Sequence, residues 1–187
     1  MSSATEKGTA TLDDLHQVEG KAELIAGRIV HFMPTGLRPG LISRRICNSL
    51  EAYTLATKRG LAIPDNIGFA VPELISGRES FAPDAAYYDG SLPVDDMDFV
   101  PGTPTFAVEV RSKGDYGPAA DRDYALKRAD YFEAGTLVVW DVDPRAESVR
   151  SYRAELPDQP TTYQKGQVAD AEPAVPGWRL AVDLIFA

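Results

Sequence analysis

Apolar positions along this chain change period several times, and each change predicts an element. Ile42, Ile46, Leu50 and Tyr53 fall on one face at helical spacing, which predicts a first long helix over 41–59 closed by Gly60 in the C′ position. Residues 34–40 are expected to be a loop before it. Tyr124, Lys127 and Tyr131 recur at i, i+3 and i+7, which predicts a second helix over 121–134 closed by Gly135. A short helix is expected over 11–19, with Thr11 as N-cap and Asp13 and Asp14 in its first turn, where the helix dipole favours acids.

The remaining apolar stretches read as strands. Glu23-Leu24-Ile25 passes through Ala26-Gly27, a turn signal, into Arg28-Ile29-Val30-His31-Phe32-Met33, which predicts a hairpin. Strands are expected over 67–71 and 83–88, joined by a Gly-Arg-Glu hairpin loop, and over 106–111, with the proline-bearing acidic stretch 91–105 as an exposed loop. The near-continuous run 136–142 reads as a central strand buried on both faces. An edge strand is expected over 148–153 and weak strand signals over 161–164. The closing segment 178–186 is expected to pack back on the core. This order predicts a mixed α/β sheet flanked by helices, with no glycine-rich phosphate loop.

At 187 residues, the chain suits one domain, placed at 12–187 behind a small, polar, disordered lead-in over 1–11 that does not resemble a secretory signal. No apolar run approaches the ~20 residues that span a bilayer, so no membrane partner is expected. A single cysteine, Cys47, excludes an internal disulfide and a cysteine zinc cluster and fits a reducing cytoplasm. His16 and His31 are the only histidines, which argues against a histidine-rich metal site. The net charge of −9 argues against passive binding to nucleic acid, which needs a basic surface. It leaves room for an acidic metal site with a local basic patch.

The candidate chemistry is a pair of carboxylates in apolar strands. Asp84 follows Pro83 and opens Ala85-Ala86-Tyr87-Tyr88; Glu109 sits within Phe106-Ala107-Val108-Glu109-Val110-Arg111. Side chains alternate faces with period 2, so Phe106, Val108 and Val110 share the core face and Glu109 shares the other with Arg111. Asp84 opens an adjacent strand and is able to reach Glu109's face. A carboxylate there requires a partner. The partner is either a metal ion shared with Asp84 or a salt bridge with Arg111. The aromatic face of the second helix directs Lys127 at the sheet; the alternative is a surface pair between Asp123 and Lys127 at i, i+4. Trp140 and Trp178 read as core residues, His31 as a structural histidine and Cys47 as a small hydrophobe. The cluster Asp95-Asp96-x-Asp98 reads as a solvated loop, since it lacks the glycine and distal glutamate of an EF-hand.

The order Glu23, Pro83-Asp84, Glu109-x-Arg111, Lys127 resembles the PD-(D/E)-x-K nuclease superfamily. More closely, the chain resembles the bacterial putative restriction endonuclease (Uma-type) family. The matching segments are Glu23-Leu-Ile-Ala-Gly-Arg-Ile-Val30, Ala82-Pro-Asp-Ala-Ala86, Phe106-Ala-Val-Glu-Val-Arg-Ser112, Lys127-x-x-x-Tyr131-x-x-x-Gly135, Trp140-x-x-Asp143-Pro144 and Pro176-Gly177.

The resemblance implies a restriction-endonuclease-like core, a mixed central sheet flanked by helices with extra strands. It implies that Asp84 and Glu109 bind Mg²⁺ or Mn²⁺, with Glu23 completing the site through the metal or a water. The lysine usual two residues after the glutamate is Arg111 here, and Lys127 matches the position some relatives use on the following helix. Arg111 is always charged, so its expected role is to clamp a phosphate or neutralise Glu109, not to act as a base. The family departs from this chain at Ser112-Lys113-Gly114-Asp115 and at Pro39-Gly40, where many relatives carry a histidine. The implied function is a Mg²⁺-dependent endonuclease acting on DNA as a homodimer. The alternative is an inactive interaction module that kept the fold, with Arg111 paired to Glu109 where metal would sit.

Overall fold

A strand with apolar side chains on both faces has to be covered on both sides, and Phe106–Val110 sets the layering of the whole molecule. The computed structural model describes residues 8–187. In chain order its elements are α1 (Leu12–His16), β1 (Ala22–Ile25), β2 (Arg28–His31), α2 (Leu37–Thr57), β3 (Leu61–Pro64), β4 (Phe69–Ala70), β5 (Ser80–Phe81), β6 (Ala85–Tyr88), β7 (Val100–Pro101), β8 (Phe106–Val110), α3 (Pro118–Ala134), β9 (Val138–Asp143), β10 (Ser148–Arg153), β11 (Leu156–Gln164), β12 (Val168–Asp170), β13 (Arg179–Ala181) and α4 (Val182–Phe186). The central sheet has six strands in the order β11-β10-β9-β8-β6-β3. Only β8 and β9 run parallel; the other neighbours are antiparallel. The mixed sheet flanked by helices is therefore as the sequence predicts.

Alternation along β8 separates the two cores. Phe106, Val108 and Val110 pack with Ile42, Ile46 and Leu50 of α2 on one side, joined by Trp140, Trp178 and Ile185. Trp140 meets Phe106 edge-on at 5.1 Å and Trp178 at a tilt of 36° and 5.2 Å, contacts that add to area burial. On the other side Ala107 packs with Val139, Phe69, Phe81 and Tyr131 of α3. Glu109 shares Ala107's side, so it points toward α3.

Several boundaries differ from expectation, each for a local reason. Helix α2 starts at Leu37, inside the expected loop, with Gly36 as N-cap. Pro39 is tolerated in its first turn because the N–H it lacks is one a helix start leaves unpaired. The left-handed cap is Lys58, φ 59°, and not Gly60. Gly60, φ 57°, serves packing instead: a Cβ there would lie 2.4 Å from the Tyr87 ring. The expected hairpin between 67–71 and 83–88 does not form. β6 pairs with β3, where no strand is expected, while β4 pairs with β5 and, in parallel, with β7 inside the expected loop 91–105. β10 is not an edge, because β11 covers it. Pro157 and Pro160 fall between the Leu156 and Thr161 pairings of β11, where the register with β10 shifts and the ladder is interrupted.

The expected disordered lead-in, 1–11, is ordered over its last residues. Gly8 and Ala10 donate N–H bonds to the Ala26 and Gly27 carbonyls at 2.8 and 2.9 Å. Thr11 caps α1 through a reciprocal bond with Asp14. Residues 1–7 lie outside the described residues.

Candidate active site

Four segments converge at one end of the β6–β8 pair. Asp84 stands just before β6, its own N–H bonded to the Val108 carbonyl at 3.0 Å. Its Oδ2 accepts the Val110 N–H at 2.7 Å, and its carbonyl accepts the Ser43 hydroxyl of α2 at 2.5 Å. Glu109 comes from β8, Lys127 from α3, and Lys21 and Glu23 from the start of the β1–β2 hairpin. That hairpin is tied on through Glu79 N–H, which donates to the Leu24 carbonyl at 2.9 Å.

The charges interlock. Lys127 Nζ lies 2.8 Å from Glu109 Oε1 and 2.9 Å from Glu23 Oε1. Tyr131, one turn on, donates its hydroxyl to the same Glu109 oxygen at 2.7 Å. Glu23 is fully buried; its Oε1 also accepts the Ala82 N–H at 3.0 Å, and its Oε2 pairs with Arg78. Arg78 reaches on to Asp130 of α3 at 2.8 Å. Lys21 Nζ sits 2.6 Å from Asp84 Oδ1 and 2.7 Å from Asp65 Oδ1.

Burial and neighbouring charge decide the protonation states. Burial pushes the Glu109 carboxyl above the usual range, and the Asp84 and Glu23 charges add to that push against the pull of Lys127 and Lys21. Burial acts the same way on Glu23, but Lys127, Arg78 and the Ala82 N–H outweigh it and hold Glu23 below its usual value. Burial disfavours the Lys127 and Lys21 ammonium groups, yet their carboxylate partners overcome it and both stay charged. Tyr131 is raised well above its ordinary value by burial and by Glu109, so it remains a donor.

These groups open on a cleft of about 1090 Å³ lined by Asp84, Glu109, Lys127, Lys21, Phe32 and Met33. Phe32 and Met33 carry its mouth at 38 % and 88 % exposure, and Lys127 lies 5.5 Å from the Phe32 ring centre. Arg128, Lys113 and His31 also face it.

The structure therefore brings Asp84, Glu109, Lys127 and Glu23 together. The Asp123–Lys127 surface pair is not what forms: Lys127 turns inward. Arg111 goes elsewhere. It is buried and forks onto Asp141 of β9 at 2.8 and 2.9 Å, with a third bond to Asp121 at 2.7 Å. Its expected roles, clamping a phosphate or neutralising Glu109, are corrected by this geometry: a guanidinium fork is matched by the carboxylate on the next strand. Lys21, Arg78 and Asp141 are charged partners of Asp84, Glu23 and Arg111 that sequence reasoning missed. Lys21 had a signal: it stands two residues before Glu23 at a strand start, on the same face. Arg78 had none, because its partners are distant in sequence.

Asp84 and Glu109 supply hard oxygen donors at the cleft, as Mg²⁺ or Mn²⁺ requires. Glu109 Oε2 takes part in none of the hydrogen bonds or ion pairs of the described residues, and an ammonium already stands against Asp84 Oδ1 in the manner of a stand-in cation. Among the described residues no group of three or more acidic, histidine or cysteine side chains surrounds one point. The set suits an ion that keeps several waters rather than one fully caged by protein.

A search of curated proteins finds no match. Among solved structures, the chain is similar to the crystal structure of a putative nuclease belonging to DUF820 from Anabaena variabilis ATCC 29413, at TM-score 0.68 and 19 % identity, covering 94 % of this chain and 97 % of that one. That likeness fixes the fold, a mixed sheet with flanking helices. The family model described as Uma2, putative restriction endonuclease, matches residues 11–183, and the chain belongs to that family.

Proposed function

We propose that the protein is a divalent-metal-dependent endonuclease that hydrolyses DNA phosphodiester bonds within one restriction-endonuclease-like domain spanning 12–187. The observation that carries this reading is the open cleft in which Asp84 and Glu109 face Lys127, in place of an Arg111–Glu109 pair closing the site. Asp84 and Glu109 would hold Mg²⁺ or Mn²⁺, which when bound supplies a water of lowered pKa and positive charge against the transition state.

The chain's own groups do the rest. Lys127, charged and anchored on Glu109 and Glu23, presents an N–H donor to a phosphate oxygen or the attacking water. Glu23, with both oxygens engaged, positions Lys127. Tyr131 fixes the rotamer of Glu109 through its hydroxyl. Val110 N–H fixes Asp84, leaving one oxygen toward the cleft. Lys113 and Arg128 on the cleft wall are suited to steer a phosphate backbone toward an otherwise acidic protein. A homodimer would set two such sites, one for each strand of a duplex.

The test is cleavage of supercoiled plasmid by the wild type with Mg²⁺ or Mn²⁺ and by Asp84→Asn. Metal-dependent nicking that disappears in the variant is expected. Inactivity of the wild type with both metals, across several DNA substrates, would leave the interaction module as the better account.

A further inference from the structure

Lys21 is the ion-pair partner of Asp84, and the nuclease motif order does not include it. Its ammonium contacts Asp84 Oδ1 at 2.6 Å and Asp65 Oδ1 at 2.7 Å, with its side chain 18 % exposed. Three elements fix it there. The Lys21 carbonyl accepts the Phe32 N–H at 2.9 Å, which closes the open end of the β1–β2 hairpin. Asp65 lies in the turn after β3, where its Oδ1 also accepts the Asn66 N–H at 2.8 Å. Asp84 is clamped from behind by Val110. Ordering and desolvating a lysine is costly, so its placement reflects a need for charge.

That need is set by the carboxylates. Asp84 and Glu109 face one cleft, and both carry charge that acts on Lys21. Asp84 Oδ2 is committed to the backbone, so Oδ1 is the oxygen turned to the cleft, and it is the one the ammonium holds. Asp84 would hold a divalent ion through this same oxygen, so the ammonium in contact with it would compete with and repel that ion.

We infer that Lys21 is a built-in cation of the site: it neutralises Asp84, as Lys127 does Glu109, in the metal-free protein, and by competing for Asp84 Oδ1 it sets how tightly a divalent ion would be held. Asp65 is the tether that retains the displaced ammonium at the edge of the cleft. Lys21 is thus a positioning residue that acts through Asp84, and the inference rests on the metal-dependent reading above.

The experiment is calorimetric titration of Mn²⁺ into the full chain as wild type, Lys21→Met, Lys21→Gln, Lys21→Arg and Asp84→Asn, each checked for cooperative melting. Both neutral variants should bind Mn²⁺ about tenfold tighter, since a like charge beside the ion is gone. Lys21→Arg, which keeps the charge, should stay within about twofold of wild type. Asp84→Asn should lose binding. Neutral variants that bind no tighter than wild type, while Asp84→Asn loses the ion, overturn the role of Lys21 and leave the metal reading standing. Undiminished binding by Asp84→Asn overturns the metal reading and this inference together.

Discussion

Lys127 is the residue on which the site turns. It is the shared cation of Glu109 and of the fully buried Glu23. Lys127→Met leaves both carboxylates short of a partner, and a broken buried pair costs about 3 kcal/mol. The variant should therefore melt lower. Its cleavage rate should drop by roughly 10²–10³, the usual loss when a transition-state donor is removed, while Mn²⁺ binding persists. Calorimetry and plasmid cleavage together check this. Glu23 and Glu109 contribute to stability with opposite signs. Glu23 is held below its ordinary value of 4.5, so its contribution is complete above that pH and is lost as pH falls through the lower folded value. Melting of Glu23→Gln should accordingly fall less steeply on acidification than that of wild type. Glu109 is raised above 4.5, so its contribution is complete below that pH and declines as pH rises through the higher folded value. In metal-free buffer, Glu109→Gln should gain stability relative to wild type as pH rises above 4.5, as thermal melting would reveal. A glutamate that is costly when charged, with one oxygen unpaired among the described residues, is the kind of compromise function imposes.

At the scale of elements, the site depends on how β3 and α2 are set against β6. Gly60 allows the entry to β3 to pass over Tyr87, with a left-handed backbone and no room for a Cβ. Gly60→Ala should destabilise by about 1–3 kcal/mol, through the strained φ and overpacking, as measured by denaturant unfolding. Ser43 ties α2 to the Asp84 carbonyl and is itself buried. Its loss should cost about 1 kcal/mol and loosen the segment that carries Asp84. The helical spacing of Tyr124, Lys127 and Tyr131 and the alternation along β8 were legible because they are local. The β6 partner was not, because the hydrophobicity of β3 is brief, and short strands gain their identity from the neighbour they meet.

Across the molecule, the C-terminal segment closes the core that supports the sheet beneath the site. Trp178 packs on Trp140 and Phe106, and Ile185 and Phe186 follow from α4. Trp178→Ala should cost about 3–5 kcal/mol, visible as a lower melting midpoint, with activity per folded molecule retained because its ring partners are Phe106 and Trp140 and not Asp84, Glu109 or Lys127. Among the described residues no helix is long and apolar enough to cross a membrane. The cleft carries Lys21, Lys127, Lys113 and Arg128 but is lined by still more carboxylates, in a protein of net charge −9, so the DNA binding proposed above should depend strongly on divalent cations and on salt.

By itself the sequence determined the periodicities: which faces of β8, α2 and α3 are apolar, where Asp84 and Glu109 stand on their strands, and that Lys127 shares a helix face with Tyr124 and Tyr131, its inward turn being left open against a pair with Asp123. These follow from residue spacing and the fixed geometry of helix and strand. Only the tertiary structure decided where the long cations go. Arg111 shares a strand face with Glu109 and yet is taken by Asp141, because a neighbouring strand offers a carboxylate in fork geometry. Arg78 and Lys21, unremarkable in sequence, become the partners of Glu23 and Asp84 once the hairpin folds onto the sheet. A flexible side chain takes whichever carboxylate the fold places within reach, and no local pattern encodes that choice.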